Sequence, residues 1–440
     1  GNLPPPTASQ VDSTDAQQLV LPIDALPDGL YTVAYQVTSA TDGHSTAGSF
    51  PFTIGAAVPV TAQPATSAAE AQQAPIAQAL IRWLNLLSLA LAVGTLGFWL
   101  FVWAPARLIG QADAERPLWL LLWVAWLAMG VTGALVLRMQ TAIATQTPLL
   151  AAVDNAAIEQ MVTGTRFGML WITRMVLWVI LGSLIILSMR VRRLAWAALA
   201  VSVAILATVS FFSHASAAAD FWPAVASDWF HLLMSSLWVG GLVAFFAVIG
   251  PVRKADTPGL GQLTGYFSNY ARVAVAGLVI TGLYATWLQV GSSDGLLTTR
   301  YGQALLVKLI LFLPLLALAA INLLVTQRRL RAGGDLWGGR LRGLVGAEII
   351  LALAILAAVG VMTAISPART TLTMRAQAAQ QPLGPAPQPI SEMQLADPLH
   401  LHLVITPGWV GENEFQLALS TLEGEVVNDA PLIRLRFEHQ

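Results

Sequence analysis

The sequence predicts a mainly α-helical, polytopic membrane protein: an eight-helix transmembrane bundle flanked by two small extracytoplasmic β-sandwich fragments of the immunoglobulin-like kind. Hydrophobic residues make up 56% of the 440 residues and charged residues only 11%, whereas soluble globular domains carry about 25% charged residues. Apolar runs of about 20 residues, long enough to cross the hydrocarbon core as helices, recur through the middle of the chain. Alternating runs rich in β-formers precede and follow them.

The first fragment covers residues 1–55. Short β-type runs at Leu19–Ile23, Tyr31–Val37 and Ser49–Ile54 are separated by the turn signals LPDG and TDGH. An immunoglobulin-like sandwich needs about 100 residues, so this segment amounts to about half of one. Residues 56–78, rich in Ala, Thr, Gln and Pro, are predicted to be a linker.

Residues 79–366 are predicted to form the transmembrane domain. Its eight apolar runs lie near 80–103, 117–139, 168–188, 194–213, 228–250, 270–290, 303–325 and 343–365. Tryptophans concentrate in the first three runs, where interfacial anchoring is the role predicted for most of them. An even number of spans places both chain ends on the same side of the membrane.

Basic residues predict the orientation. Those between the spans cluster in the loops that follow odd-numbered spans: Arg107, Arg116, Arg190, Arg192, Arg193, Arg253, Lys254, Arg328, Arg329, Arg331, Arg340 and Arg342. Positive residues stay on the cytoplasmic side. Both termini are therefore expected to be extracytoplasmic, in a multi-pass protein of a prokaryotic cytoplasmic membrane.

The C-terminal part repeats the pattern of the N-terminal part. Residues 367–397 are predicted to be a second Pro/Gln/Ala linker. Residues 398–440 alternate as strands, with turns at Pro407–Gly408 and Glu423–Gly424. They are predicted to be the second β-sandwich fragment.

Composition excludes several functions. The net charge of −1 provides no basic face for nucleic acid. The sequence contains no phosphate-binding Gly-rich loop followed by Lys-Ser/Thr, no Gly-x-Ser-x-Gly and no HExxH, so we do not expect an enzyme. Cysteine is absent, which leaves His, Met and carboxylates as side-chain metal ligands.

Two histidines are the main candidates for a metal site. His214 closes the fourth apolar run and His231 lies about one turn into the fifth. The hairpin between these runs would bring both imidazoles to the outer end of the bundle, where an embedded histidine is expensive and by default functional. Imidazole and thioether suit copper in an oxidising compartment. The competing interpretation is a hydrogen-bonded structural pair.

Other candidates are less specific. Met234 lies one turn after His231 on the same helical face and could ligate a metal or fill the core. His400 and His402 share a strand face, which allows chelation or a plain exposed face. Glu348 could pair with Arg272, and Lys308 with Asp228; structural roles are predicted for these four.

The helical region resembles the copper-resistance CopD family of membrane proteins. The matching stretches are TRFGMLWITR at 165–174, DWFHLLMSSLWVGGL at 228–242, TGLYATWLQVG at 281–291, the stretch from Thr299 to Asn322, and LRGLVGAEIILALAILAAVG at 341–360. The His-x6-Trp-x-Gly-Gly pattern of His231, Trp238, Gly240 and Gly241 is the most specific part.

The N-terminal segment resembles the second half of a CopC copper-binding sandwich, and the C-terminal segment is similar to YtkA-like domains. The CopC resemblance implies that Asp42 and His44, in the Asp-Gly-His turn, are copper(II) ligands; that family also uses a histidine at the mature N-terminus, which has no counterpart here. Together these resemblances imply copper uptake and tolerance, with the copper ion, the lipid bilayer and an extracytoplasmic copper carrier as partners.

Two other functions compete with copper transport. Histidines on neighbouring helices could be the axial ligands of a b-type haem in an electron-transfer protein. The bundle could also be a non-transporting anchor or sensor that displays the outer domains.

Overall fold

The computed structural model describes residues 10–11, 19–20, 29–38, 45–54, 76–106, 112–145, 147–149, 155–218, 220–255, 257–326, 329, 336–380, 390–396, 399–406 and 414–421. The chain divides into two compact units. One contains residues 36–46 and 70–375 and holds the membrane-type helices; the other contains 1–35, 47–69 and 376–440.

The helices follow one another in a simple order along the chain. They are α1 (Ile76–Phe98), α2 (Ala112–Ala144), α3 (Asn155–Gly164), α4 (Arg166–Ser188), α5 (Leu194–Ser210), α6 (Phe221–Ala255), α7 (Thr257–Gln289), α8 (Ser293–Thr298), α9 (Arg300–Ile321), α10 (Leu336–Met362) and α11 (Ala368–Gln380). A π-helical turn extends α1 over Trp99–Trp103 and another extends α9 over Asn322–Thr326; a 3₁₀ turn, His214–Ala217, precedes α6.

Seven of the described helices are long and apolar enough to cross a membrane: α1, α2, α4, α6, α7, α9 and α10. The predicted fourth span, 194–213, forms α5, which has 17 residues and stops at Ser210. At 1.5 Å per residue it spans about 25 Å, less than the hydrocarbon core of about 30 Å. The helix gives way to the His214 turn, where the Ser213 hydroxyl accepts a hydrogen bond from the Ala215 N–H.

The described strands match the predicted β-regions. In the first region β1 (Gln10–Val11) pairs with β2 (Leu19–Val20), and β3 (Gly29–Thr38) pairs with β4 (Ser45–Ile54). In the last region β5 (Ile390–Ala396), β6 (Leu399–Thr406) and β7 (Glu414–Thr421) form an antiparallel sheet in the order β5-β6-β7. A second sheet that would complete an immunoglobulin-like sandwich is not among the described strands.

The predicted second linker, 367–397, contains regular structure. It includes helix α11 and strand β5. The segment Ala368–Gln380 has no Pro or Gly and is rich in Ala, Arg, Gln and Met, which are strong helix formers. Its Pro-rich part begins only at residue 382, so the average composition of 367–397 hides this helix.

Helices α1 and α6 form the centre of the helical unit. Of the helices that could span a membrane, they bury the largest shares of their apolar windows, 78% and 61%. A Cβ added at Gly240 of α6 would lie 1.8 Å from the Ala90 carbonyl oxygen, and one added at Gly94 of α1 would lie 2.4 Å from the Gly240 Cα. The two backbones therefore touch, in the manner of small-residue contacts between membrane helices.

Two tryptophans from the middle of the second and third predicted spans join α2 to α4. The rings of Trp126 and Trp178 stack with centroids 4.5 Å apart. Each indole N–H donates to the backbone carbonyl of the other residue, at 2.9 and 2.8 Å. Both indole N–H groups are therefore hydrogen-bonded inside the helical unit, so neither ring needs water at the membrane interface as a partner.

The glycine contact predicts the effect of adding one methyl group to α6. Gly240→Ala should lower the free energy of unfolding by about 3 kcal/mol, because a backbone carbonyl cannot move aside as a side chain can. Thermal unfolding of the detergent-purified protein measures the loss. Gly343→Ala is the control: its Cβ would meet no atom within 4 Å, so it should be neutral or stabilise by up to about 1 kcal/mol. Equal midpoints for the two variants would contradict the contact.

Candidate functional site

His231 is held in one tautomer by helix α7. Its Nδ1 lies 2.8 Å from the Thr281 hydroxyl, and that hydroxyl donates its single proton to the Gly277 carbonyl at 2.7 Å. The threonine oxygen must therefore accept from His231, so Nδ1 carries the proton. This leaves Nε2 with a free lone pair, which is the state in which imidazole binds metals.

Asp228 joins the His214 turn to the His231 helix. It lies one turn before His231 on α6, and its Oδ2 accepts a hydrogen bond from the Ser213 hydroxyl at 3.1 Å. Asp228 also interacts electrostatically with His214, whose Nε2 is buried. Asp228 therefore lies one helical turn from His231 and within electrostatic reach of His214.

Lys308 of α9 reaches the same place from the other side. The rings of Trp238 on α6 and Phe312 on α9 meet with centroids 5.9 Å apart, which fixes the relative height of these helices. Counted toward the start of each helix at 1.5 Å per residue, His231 lies about 10 Å from this contact and Lys308 about 6 Å. The two residues therefore differ by about 4 Å in height along the bundle.

The electrostatics agree with this register. Lys308 interacts with both Asp228 and His231. We call His214, Asp228, His231 and Lys308 the Asp228 cluster. It combines one carboxylate, one ammonium and two imidazoles at the end of the bundle where α6 and α9 begin.

The structure places the predicted site residues as follows. His214 and His231 are both partly buried and share Asp228 as a neighbour. Asp42 and His44 lie outside the described residues. Within the described ranges, no group of three or more His, Asp or Glu side chains is arranged to hold a metal ion.

The weaker candidates separate into different environments. Met234 is 7% exposed and packs in an apolar cluster with Trp238 and Val239, where it fills the space beside Gly277. His402 lies 2.8 Å from the Ser391 hydroxyl across the β5–β6 pair. These positions favour packing for Met234 and a cross-strand hydrogen bond for His402.

Sequence reasoning gave Asp228 and Lys308 structural roles and did not single out Thr281. The helical spacing of Asp228 and His231 was the available signal for the carboxylate, since residues three apart share a helix face. Thr281 offers no such signal, because its role depends on how α7 is rotated against α6.

Three family models match this chain. Residues 4–55 match the CopC domain, residues 71–222 the Copper resistance protein D-like N-terminal domain, and residues 261–362 Copper resistance protein D. No solved structure matches the chain. The match to the Copper resistance protein D-like N-terminal domain includes His214. The match to Copper resistance protein D includes Thr281 and Lys308.

Two curated relatives carry related descriptions. The "Copper transport protein CutJ" of Bacillus subtilis (strain 168) is 28% identical over 417 residues, which is 93% of this chain and 72% of the relative. The "Copper resistance protein D" of Pseudomonas syringae pv. tomato is 31% identical over 183 residues, 39% of this chain and 57% of the relative. The chain is therefore similar, from a CopC domain at its start through two Copper resistance protein D regions, to proteins described by copper transport and copper resistance.

Proposed function

We propose that this chain takes part in copper transport, in the direction of uptake, across a prokaryotic cytoplasmic membrane, and in copper homeostasis and resistance. Three matched family models and two relatives with copper in their descriptions support the proposal. Seven helices able to span a membrane support a multi-pass protein.

In this proposal both termini are extracytoplasmic, as the distribution of basic residues predicts. The N-terminal region would collect copper(II) through Asp42 and His44 and receive it from a copper carrier outside the membrane. The YtkA-like C-terminal region, 398–440, would lie on the same side. The start of α6 and α9, with the Asp228 cluster, then faces the compartment that supplies copper.

The Asp228 cluster is the proposed entry site for copper. The observation that carries this assignment is the bond from His231 Nδ1–H to Thr281, because it leaves Nε2 as a neutral donor on a residue one helical turn after Asp228. His214 supplies a second imidazole. Copper ions are borderline or soft, so they bind a site with imidazole nitrogens more strongly than a site made of water and carboxylate oxygens alone.

Lys308 is a tethered cation in this site. Its ammonium balances Asp228 as long as copper is absent, which lowers the cost of a carboxylate in the bundle. Copper brings its own positive charge and would repel the ammonium. Copper entry is therefore expected to require Lys308 to move away or to lose its proton.

Replacing both histidines tests the site. Cells that express the His214→Ala, His231→Ala double variant should accumulate much less copper than cells with the native protein, because both nitrogen donors are gone. Copper content by mass spectrometry, normalised to membrane-inserted protein, is the measurement. His402→Ala removes a histidine from strand β6 and serves as the control. Equal accumulation in all three strains would reject the site; a stoichiometric Soret band would point to haem instead.

Thr281→Val tests the positioning of His231. The valine keeps the shape but removes the oxygen that fixes the imidazole, so copper should bind about tenfold more weakly, as outer-shell substitutions at metal sites do. Competition with a chromophoric chelator measures the affinity. Thr264→Val is a matched control on the same helix, because the Thr264 hydroxyl bonds only to the Leu260 carbonyl. Equal affinity for Thr281→Val and Thr264→Val would remove Thr281 from the site.

Lys308→Met tests the tethered cation. Removing the ammonium should raise copper affinity about tenfold, since one tenfold change corresponds to about 1.4 kcal/mol of like-charge interaction. The same competition titration measures it, with Arg300→Met at the exposed start of α9 as the charge-matched control. A lower affinity in Lys308→Met than in the control would show that the lysine helps to build the site.

A further inference from the structure

A second polar group lies in the interior of the helical unit, far from the Asp228 cluster. Glu348 of α10 is 3% exposed and accepts a hydrogen bond from the side-chain amide of Asn322. Asn322 is 8% exposed and Thr326 is fully buried; they begin and end the π-helical turn that extends α9. We call these three residues the Glu348 cluster.

Glu348 does not have the ion pair that the sequence predicts. Arg272 is exposed and donates to Asn269 of its own helix. Among the described residues the salt bridges are Asp113–Arg116 and Glu115–Arg192. Glu115, the other deeply buried glutamate, is 4% exposed and makes two bonds to the Arg192 guanidinium, at 3.0 and 3.2 Å. Among the described residues, the partner of Glu348 is a neutral amide, that of Asn322.

The charged groups on the neighbouring helices have other contacts. Arg342 lies over the Phe246 ring at 5.1 Å and Arg340 over the Trp337 ring at 4.9 Å. Arg253 of α6 lies beside Gly338, and Arg82 of α1 bonds to the Thr363 carbonyl. The remaining charged or titratable side chains of α1, α6, α9 and α10 are Asp228, His231, Lys254, Arg300, Tyr301 and Lys308; of these, Asp228, His231 and Lys308 belong to the Asp228 cluster at the other end.

Two buried oxygens of the Glu348 cluster have no hydrogen-bond partner in the described part of the chain: Asn322 Oδ1 and Thr326 Oγ1. Oδ1 belongs to the same amide that bonds to Glu348, so it lies next to the carboxylate. Thr264 and Thr281 donate to the carbonyl four residues earlier, whereas Thr326 does not. Its π-helical turn departs from the α-helical ladder, and such turns are frequent at functional sites.

The two clusters lie at different depths. From the Trp238–Phe312 contact, His231 lies about 10 Å toward the start of α6, and Asn322 lies about 15 Å toward the end of α9. About 25 Å therefore separates them along the bundle. Trp238, Phe312, Leu315 and Leu356 pack together in the apolar region between them.

We propose that the Glu348 cluster binds a monovalent cation, Na⁺ or H⁺, through oxygen ligands, and that this ion moves together with or against copper. A carboxylate, an amide oxygen and a hydroxyl suit a hard cation, whereas copper in this chain has imidazole available elsewhere. One positive charge balances one carboxylate in a site shielded from water. The binding part of this inference stands alone; the coupling part rests on the proposed copper transport.

Binding is tested on the purified full chain. The thermal midpoint is measured with increasing NaCl, against choline chloride at equal ionic strength, because a ligand that binds only the folded state raises it. Na⁺ should stabilise the native protein and the Thr264→Val control, stabilise Thr326→Val less, and leave Glu348→Gln unchanged. If Glu348→Gln does not fold, the rise in thermal midpoint with Na⁺ is compared between Thr326→Val and Thr264→Val. A smaller rise in Thr326→Val supports the site, and an equal rise contradicts it. An equal Na⁺ response in native protein and Glu348→Gln overturns Na⁺ binding at this cluster.

Coupling is tested in proteoliposomes loaded with a copper-sensitive dye. An imposed Na⁺ gradient or an imposed pH gradient is expected to change copper flux in the native protein and not in Glu348→Gln. Whichever of the two gradients changes the flux identifies the coupled ion as Na⁺ or H⁺. If neither gradient changes the flux of the native protein, coupling is overturned while any Na⁺ binding stands. If neither Na⁺ binding nor a Glu348-dependent gradient effect is found, the whole inference fails. Loss of flux in the His214→Ala, His231→Ala variant reports on the copper site alone.

Discussion

The backbone contact between α1 and α6 at Gly94 and Gly240 is the constraint on which the helical unit depends. Lipid tails are as apolar as leucine, so membrane helices gain little from hydrophobic association and depend on close packing. This contact fixes the height and rotation of α6 against α1. His231 lies nine residues before Gly240, about 13 Å along the same helix. The imidazole can meet Thr281 and Asp228 can face Lys308 only if α6 holds this position.

Three carboxylates of the helical unit, buried at Glu115 and Glu348 and partly buried at Asp228, are compensated in different ways. Glu115 has a two-pronged arginine bond and the Trp103 indole. Asp228 has Ser213 and the electrostatic influence of Lys308. Glu348 has one amide. Removing a carboxylate from water is costly unless a positive charge or several donors replace the water. Glu115 is therefore the most fully compensated carboxylate and forms a structural ion pair. Asp228 and Glu348 have fewer compensating groups and would gain more from a mobile cation.

The sequence predicts the helices well because their signal is local. Apolar runs near 20 residues give seven span-length helices, and the short α5 is the exception. Helix α11 lies inside the segment predicted as a linker, because the prolines that dominate the composition of that segment lie beyond the helix. Contacts between helices were predicted less well. Lys308 and Asp228 influence each other electrostatically, but the ion pair that the sequence suggested is not among the salt bridges of the described residues. Glu348 and Arg272 do not pair, and the sequence could not show this, because an apolar helix does not reveal its rotation: Arg272 faces outward.

The chemistry of the two clusters explains why one chain would need both. Nitrogen donors hold a borderline or soft metal, and oxygen donors hold a hard monovalent ion. Here the imidazoles are gathered where α6 and α9 begin, and the Glu348, Asn322 and Thr326 oxygens where α9 ends. The Trp238–Phe312 contact lies between them. An apolar layer of this kind keeps either ion from crossing along a fixed row of ligands. In the proposed transport, passage would require α9 to move relative to α6, and α9 carries groups of both clusters: Lys308 in the first, Asn322 and Thr326 in the second.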